Sequence, residues 1–162
     1  MTILALALLA GCAAPVAGNR DAGTMIASSA LFDPSRFVDV WHVVEAYGAE
    51  SGCGPLAETW APVAPGRFRV TGTSCGPNGS RAFVADARLT GPGRFTMEGS
   101  FGRREVWILW IDGDYRVAAL GSPSGDVGRI VARSPTPRAD LLAAAREAMD
   151  FNGYDMTGLA GL

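Results

Sequence analysis

Residues 107–121 read WILWIDGDYRVAALG. Two apolar runs, 106–111 and 117–120, flank Asp112-Gly113-Asp114, which is a turn signal. The pattern predicts a β-hairpin. A hairpin on an ordinary half-solvated sheet alternates apolar and polar residues, because successive side chains point to opposite faces. Here the first run is apolar on both parities: Val106, Ile108 and Trp110 on one, Trp107, Leu109 and Ile111 on the other. Each face of this strand therefore needs something apolar against it.

The hairpin has neighbours of its own kind. Strand-like runs cover 38–47, 57–63, 67–74, 81–89, 94–101, 105–111, 115–121 and 127–133, with short links rich in Gly and Pro. Consecutive strands with hairpin-length links predict an antiparallel meander, and eight of them can close into a barrel. Then the pattern changes. In SPTPRADLLAAAREAMDFNGYD (134–155), Leu141, Leu142, Ala145 and Met149 recur at helical spacing as one apolar stripe. Ser134 or Thr136 can cap this helix, Pro137 suits its first turn, and Asn152-Gly153 ends it. The stripe must lie on something apolar, and the outer wall of a barrel would serve. The tail YDMTGL can add one more extended segment.

The chain has 162 residues and a formal net charge of −2, enough length for one domain with a real core. No basic patch argues for nucleic acid. All 14 cations are Arg. Residues 1–12, MTILALALLAGC, carry a short apolar run ending in Leu9-Ala10-Gly11-Cys12. The run is too short to span a bilayer but suits a signal-peptide core. It resembles the lipobox of bacterial lipoproteins, which implies a signal peptide over 1–11 and lipid attachment at Cys12. In those lipoproteins an Ala after the Cys, here Ala13, implies the outer membrane on its periplasmic side. Residues 12–30 then read as attachment site and flexible tether, rich in Ala, Gly and Ser. The domain would occupy 31–162.

Cys53 and Cys75 remain, both in Gly-rich turns. An exported chain meets an oxidising compartment, so a disulfide is the favoured reading. A metal or nucleophile pair is the rival, and His42, the one histidine, gives it no supporting cluster.

A lipid-anchored meander of eight strands with one C-terminal helix resembles the lipocalins, most closely the bacterial outer-membrane lipoprotein lipocalins. FDPSRFVDVWHVVEAYG (32–48), DGDYRVAALGSP (112–123) and IVARSPTP (130–137) carry the resemblance. They match the family's opening motif, its turn motif and its final-strand motif, in that order. Asp39 stands where the family usually has Gly, His42 where Tyr is usual, and Gly113 at the usual Thr of the turn. The resemblance implies an eight-stranded up-and-down calyx with the helix outside. It also implies that Trp41 and Arg133 pack together at its closed end, with Asp114 and Tyr115 in a structural turn at one rim.

An eight-stranded barrel can hold one small ligand. Strict alternation from Trp41 turns Val43, Glu45 and Tyr47 inward. The family register puts Val106, Ile108 and Trp110 inside, with Val117 and Ala119 opposite. Trp60 is the best inward candidate on the second strand, and Arg129 and Val131 share the parity of Arg133. The expected pocket is apolar and aromatic with one or two charges. The resemblance implies a fatty acid or lysophospholipid as partner, palmitate being of that class, and a role in storage, transport or envelope maintenance. A filled barrel acting as an envelope scaffold is the alternative. An enzyme is disfavoured, since no Ser-His-Asp set or cluster of metal ligands stands out. No cofactor is expected, and a homodimer is left open.

Overall fold

The structure is a computed structural model describing residues 18–48, 52–76 and 78–162. Eight antiparallel strands follow in chain order: β1 Asp39–Tyr47, β2 Leu56–Ala64, β3 Arg67–Gly76, β4 Gly79–Gly91, β5 Arg94–Gly99, β6 Gly102–Ile111, β7 Val117–Gly121 and β8 Gly128–Ala132. Each pairs with the next, and β1 pairs with both β2 and β8, so the sheet closes into a barrel. Helix α1, Ala139–Phe151, packs on the outside against β6, β7 and β8. A last short strand, β9 (Leu159–Gly161), pairs with Glu45–Tyr47 of β1, beyond the point where β2 leaves it. No helix among the described residues is long and apolar enough to cross a membrane.

Two apolar clusters answer the double apolarity of β6. The barrel interior takes Val106 and Ile108, together with Ala118, Leu120 and Val131. The outer cluster joins Trp107, Leu109 and Trp110 to Ala145 and Met149 of α1. The exchange of faces comes from a bulge. The β6–β7 register shifts between Ile108 and Trp110, so Leu109 and Trp110 both face out and Ile111 returns to the interior cluster. Trp110 is therefore under the helix, not in the calyx. Val117 and Ala119 are out as well, because Ala118 and Leu120 are the inward pair on β7.

β1 repeats the device. Its register against β8 shifts between Val43 and Glu45. Trp41, Val43 and then Ala46 belong to the interior, while Val44 and Tyr47 belong to the outer cluster. Glu45, expected inside, instead meets Arg146 of α1, whose Nε donates to Glu45 Oε2 at 2.9 Å and whose Nη2 donates to Oε1.

The closed end is built from aromatic rings. Phe37 stacks on Trp41 at 4.6 Å and meets Trp60 edge-on at 5.2 Å; Trp60 and Phe68 both meet Phe95, at 5.0 and 5.8 Å. The 3-10 turn Pro34–Arg36 covers these rings. The Arg133 guanidinium lies 3.8 Å from the centre of the Trp41 ring and donates to the carbonyls of Val40, Arg36 and Tyr115. Such a cation over an indole contributes about 0.5–2 kcal/mol. The hairpin turn 112–116 sits at this end. Asp112, rather than Asp114, organises it: its carboxylate accepts from the amides of Asp114, Arg116 and Val117 and from Arg116 Nε. Asp114 only pairs with Arg116 at the surface. Tyr115 takes φ +59° and its hydroxyl accepts from the Asp33 amide at 2.6 Å.

Two further expectations change. The helix begins at Ala139 with Arg138 at the N-cap position and no side-chain cap, so neither Ser134 nor Thr136 caps it. Residues 18–30 are not a free tether. Ser29 donates its amide to Ile108, and Arg20 is buried with its guanidinium on the carbonyls of Pro123, Asn152 and Thr24. Composition reads small residues as flexible; it does not see the carbonyls that barrel and helix offer them. Cys12 and residues 1–11 lie outside the described residues.

Candidate functional site

The open end carries the turns 76–79, 99–102 and 121–128 and the β1–β2 connection. Cys53 and Cys75 form a disulfide there, with Cα atoms 5.6 Å apart, tying that connection to the end of β3. Closing a loop of this length stabilises by about 3 kcal/mol in the chain-entropy model.

Beneath this rim lies a cavity of about 150 Å³, open to solvent at the mouth. Phe83, Met97, Phe101, Val106 and Val127 form its apolar wall, and Asn19, Ser74, Arg104, Asp126 and Arg129 supply polar groups. Alternation on β4, β5 and β6 brings Phe83, Met97 and Val106 inside. Gly128 borders it with backbone and has no side chain on its outer side, where a Cβ would lie 2.8 Å from both the Tyr47 and the Tyr154 ring, so the two rings close over this wall. The Tyr154 hydroxyl accepts from the Ser122 amide and donates to the Val127 carbonyl, so the β7–β8 turn is held to the tail of α1.

The charges are arranged in two layers. At the rim, the Arg104 guanidinium lies 4.1 Å from the Phe101 ring centre. Burial pushes the Asp126 carboxyl up, but hydrogen bonds from Ser122 and Ser124 and the Arg104 charge outweigh this and hold it below the usual range. At the floor, Arg129 Nη2 meets Glu58 Oε2 at 2.8 Å, and Glu58 Oε1 accepts from Trp60 Nε1 at 2.8 Å. Glu58 is sealed from solvent, so this is a desolvated ion pair, and removing either partner would leave a buried charge uncompensated. The pair stands between the cavity and the aromatic rings of the closed end.

Of the residues expected to line a pocket, Tyr47, Val106 and Arg129 border the cavity. Tyr47 does so while belonging to the outer cluster. Val43, Trp60, Ile108 and Val131 are inside the barrel, yet none of them lines the cavity. Glu45, Trp110, Val117 and Ala119 are in the layer under α1 or its ion pair, as described above. Sequence reasoning missed Glu58, Phe83, Met97, Phe101, Arg104 and Asp126. The first had a signal: Glu58 shares the parity of Trp60. A larger groove, about 510 Å³, runs over the outer face of β3–β5 between exposed charges such as Arg69 and Asp86, and it is surface, not calyx.

A family model described as a lipocalin-like domain matches residues 34–161. The chain belongs to the lipocalin family. Solved lipocalin structures agree on the fold at low identity. The siderocalin Ex-FABP superimposes with a TM-score of 0.60 at 18% identity, over 78% of this chain and 93% of its own. The amine binding protein of Rhodnius prolixus, solved with tryptamine, gives 0.63 at 15% over 85% and 84%. Lobster apocrustacyanin A1 gives 0.65 at 14% over 80% and 78%. No curated protein matches the sequence. Lipocalins as a family bind small hydrophobic molecules and are in general carriers rather than enzymes. Among the described residues, no three His, Cys, Asp or Glu come together to hold a metal.

Proposed function

We propose that this lipocalin is an outer-membrane lipoprotein, anchored through Cys12, that binds a fatty acid or lysophospholipid at its open end without catalysing a reaction on it. The observation that carries the reading is the cavity itself: a cup with an apolar wall, Arg104 and Asp126 at its rim, and Arg129 paired with Glu58 at its floor. Such a cup suits an amphiphile, whose apolar body meets Phe83, Met97 and Val106 while its polar end stays among Asn19, Ser74 and the Arg104 and Asp126 charges of the rim. The cup's volume lies below the roughly 300–1,000 Å³ of drug-sized sites, so it seats one end of such a molecule and leaves the rest at the mouth. Storage or transport of lipid in the envelope follows from that chemistry and the anchor.

The aromatic closed half favours a second reading, a barrel that is filled and acts as a scaffold. Titration with a dansyl-labelled undecanoic acid separates the two. Binding predicts saturable fluorescence, weakened at least tenfold by Val106→Phe, which puts a ring into the cavity, with the unfolding midpoint unchanged. No saturable signal from the unmodified protein, together with no copurifying lipid in native mass spectrometry, would establish the filled barrel instead.

A further inference from the structure

The N-terminal segment meets the fold at the mouth of the cavity. Gly18 lies so close to the β7–β8 turn that a Cβ on it would sit 2.2 Å from the Ser124 carbonyl oxygen. Asn19 is fastened to Gly125, whose carbonyl accepts from its amide at 2.9 Å and from its side-chain Nδ2 at 3.1 Å. The Asn19 carbonyl accepts from the Asp155 amide at 2.9 Å, and Asn19 itself is one of the residues lining the cavity. Arg20 then locks the next step, with its guanidinium buried on the carbonyls of Pro123, Asn152 and Thr24. The point at which the chain leaves the barrel is thus fixed, and it is fixed beside the ligand cavity.

Gly18 is six residue steps along the chain from Cys12, with five residues between them. A trans chain spans at most about 3.3–3.6 Å per residue, so the two cannot be more than about 20 Å apart. The barrel is longer than that: the ten residues of β3 span about 33 Å along a strand tilted about 35–45° from the axis, which leaves about 25 Å between the two ends. A leash attached at the closed end would leave the mouth that distance further off. We infer that, on the reading of Cys12 as the lipid attachment site, the cavity mouth is held within about 20 Å of the phospholipid bilayer. Lipid then exchanges directly between the leaflet and the cavity rather than by release into bulk water. The partner surface is the bilayer, and the docking determinant is the seat of Asn19 and Arg20.

The test uses the full mature chain in phosphatidylethanolamine–phosphatidylglycerol vesicles, with and without a spacer of about twenty Gly and Ser residues inserted after Ala13. Dyes are placed on Ser100→Cys, at the β5–β6 turn of the mouth, and on Gly113→Cys, at the closed-end turn. Energy transfer to a headgroup acceptor should be stronger from position 100 than from position 113, and the spacer should remove the difference. Uptake of a fluorescent lysophospholipid from the vesicles should slow at least fivefold with the spacer, while its affinity for the same protein in detergent stays the same. Equal transfer from the two positions, or uptake indifferent to the spacer, would overturn the inference. The energy-transfer arm needs no ligand, so it stands apart from the binding reading. The mass of the Cys12 peptide is read on the same preparation; if no acyl group is present, the lipidation reading fails separately. The geometry is then tested with a maleimide lipid coupled to Cys12.

Discussion

Asp39 holds φ at +80°, a left-handed conformation that suits Gly and costs a side-chain-bearing residue about 1 kcal/mol. The departure noted in the sequence thus has a physical meaning: this chain places Asp at a backbone conformation that Gly would adopt without strain. Asp39→Gly should raise stability by about 1 kcal/mol, read as a higher urea midpoint with an unchanged denaturant slope. Asp112 shows the opposite balance. Burial pushes its carboxyl up, but the amides of Val117, Arg116 and Asp114 and the Arg116 guanidinium together hold it below the ordinary value of 3.8. A carboxyl lowered in the folded state stabilises above its unfolded pKa and loses that contribution as pH falls through the folded one. Asp112→Asn should therefore cost about 2 kcal/mol at neutral pH. Its stability should also fall less than that of the unmodified protein on acidification below about pH 4, so that the two curves converge in a pH series of thermal melts.

The elements were legible in the sequence and their faces were not. Every strand from 38 to 133 and the helix were placed within a few residues by Gly–Pro punctuation and by the change of period after Arg133. Alternation failed at two places, between Val43 and Glu45 and between Ile108 and Trp110, where a bulge adds one residue and inverts the faces that follow. Beyond the β6 bulge the residues are apolar on both faces, so no composition signal marks it; beyond the β1 bulge the charge of Glu45 on the face expected to point inward was the one signal. The inversion has a measurable result. Trp110 packs with the helix cluster, so Trp110→Ala should lower stability by about 2 kcal/mol by loosening α1 from the wall. The affinity for dansyl-undecanoic acid should stay unchanged. A loss of affinity at constant stability would return Trp110 to the calyx.

The interior of the molecule is divided between rings at the closed end and a cup at the open end, with the Glu58–Arg129 pair between them. The disulfide and the barrel could be read from the sequence because each needs only residue type and order. The cup could not, because it depends on which inward residues stop short of filling the space, a property of packing rather than of pattern. One feature of the barrel bears on how the protein behaves among its own copies. β2 parts from β1 after Val43, which would leave Glu45–Tyr47 with bare amides and carbonyls on that side, and β9 takes up those positions. The strand is only three residues long, yet it stands where another chain could otherwise add on by edge-to-edge pairing. Removing residues 159–162 should leave the barrel folded by circular dichroism but prone to concentration-dependent association, seen in light scattering. Those few residues at the tail then serve as a guard against aggregation more than as a source of stability.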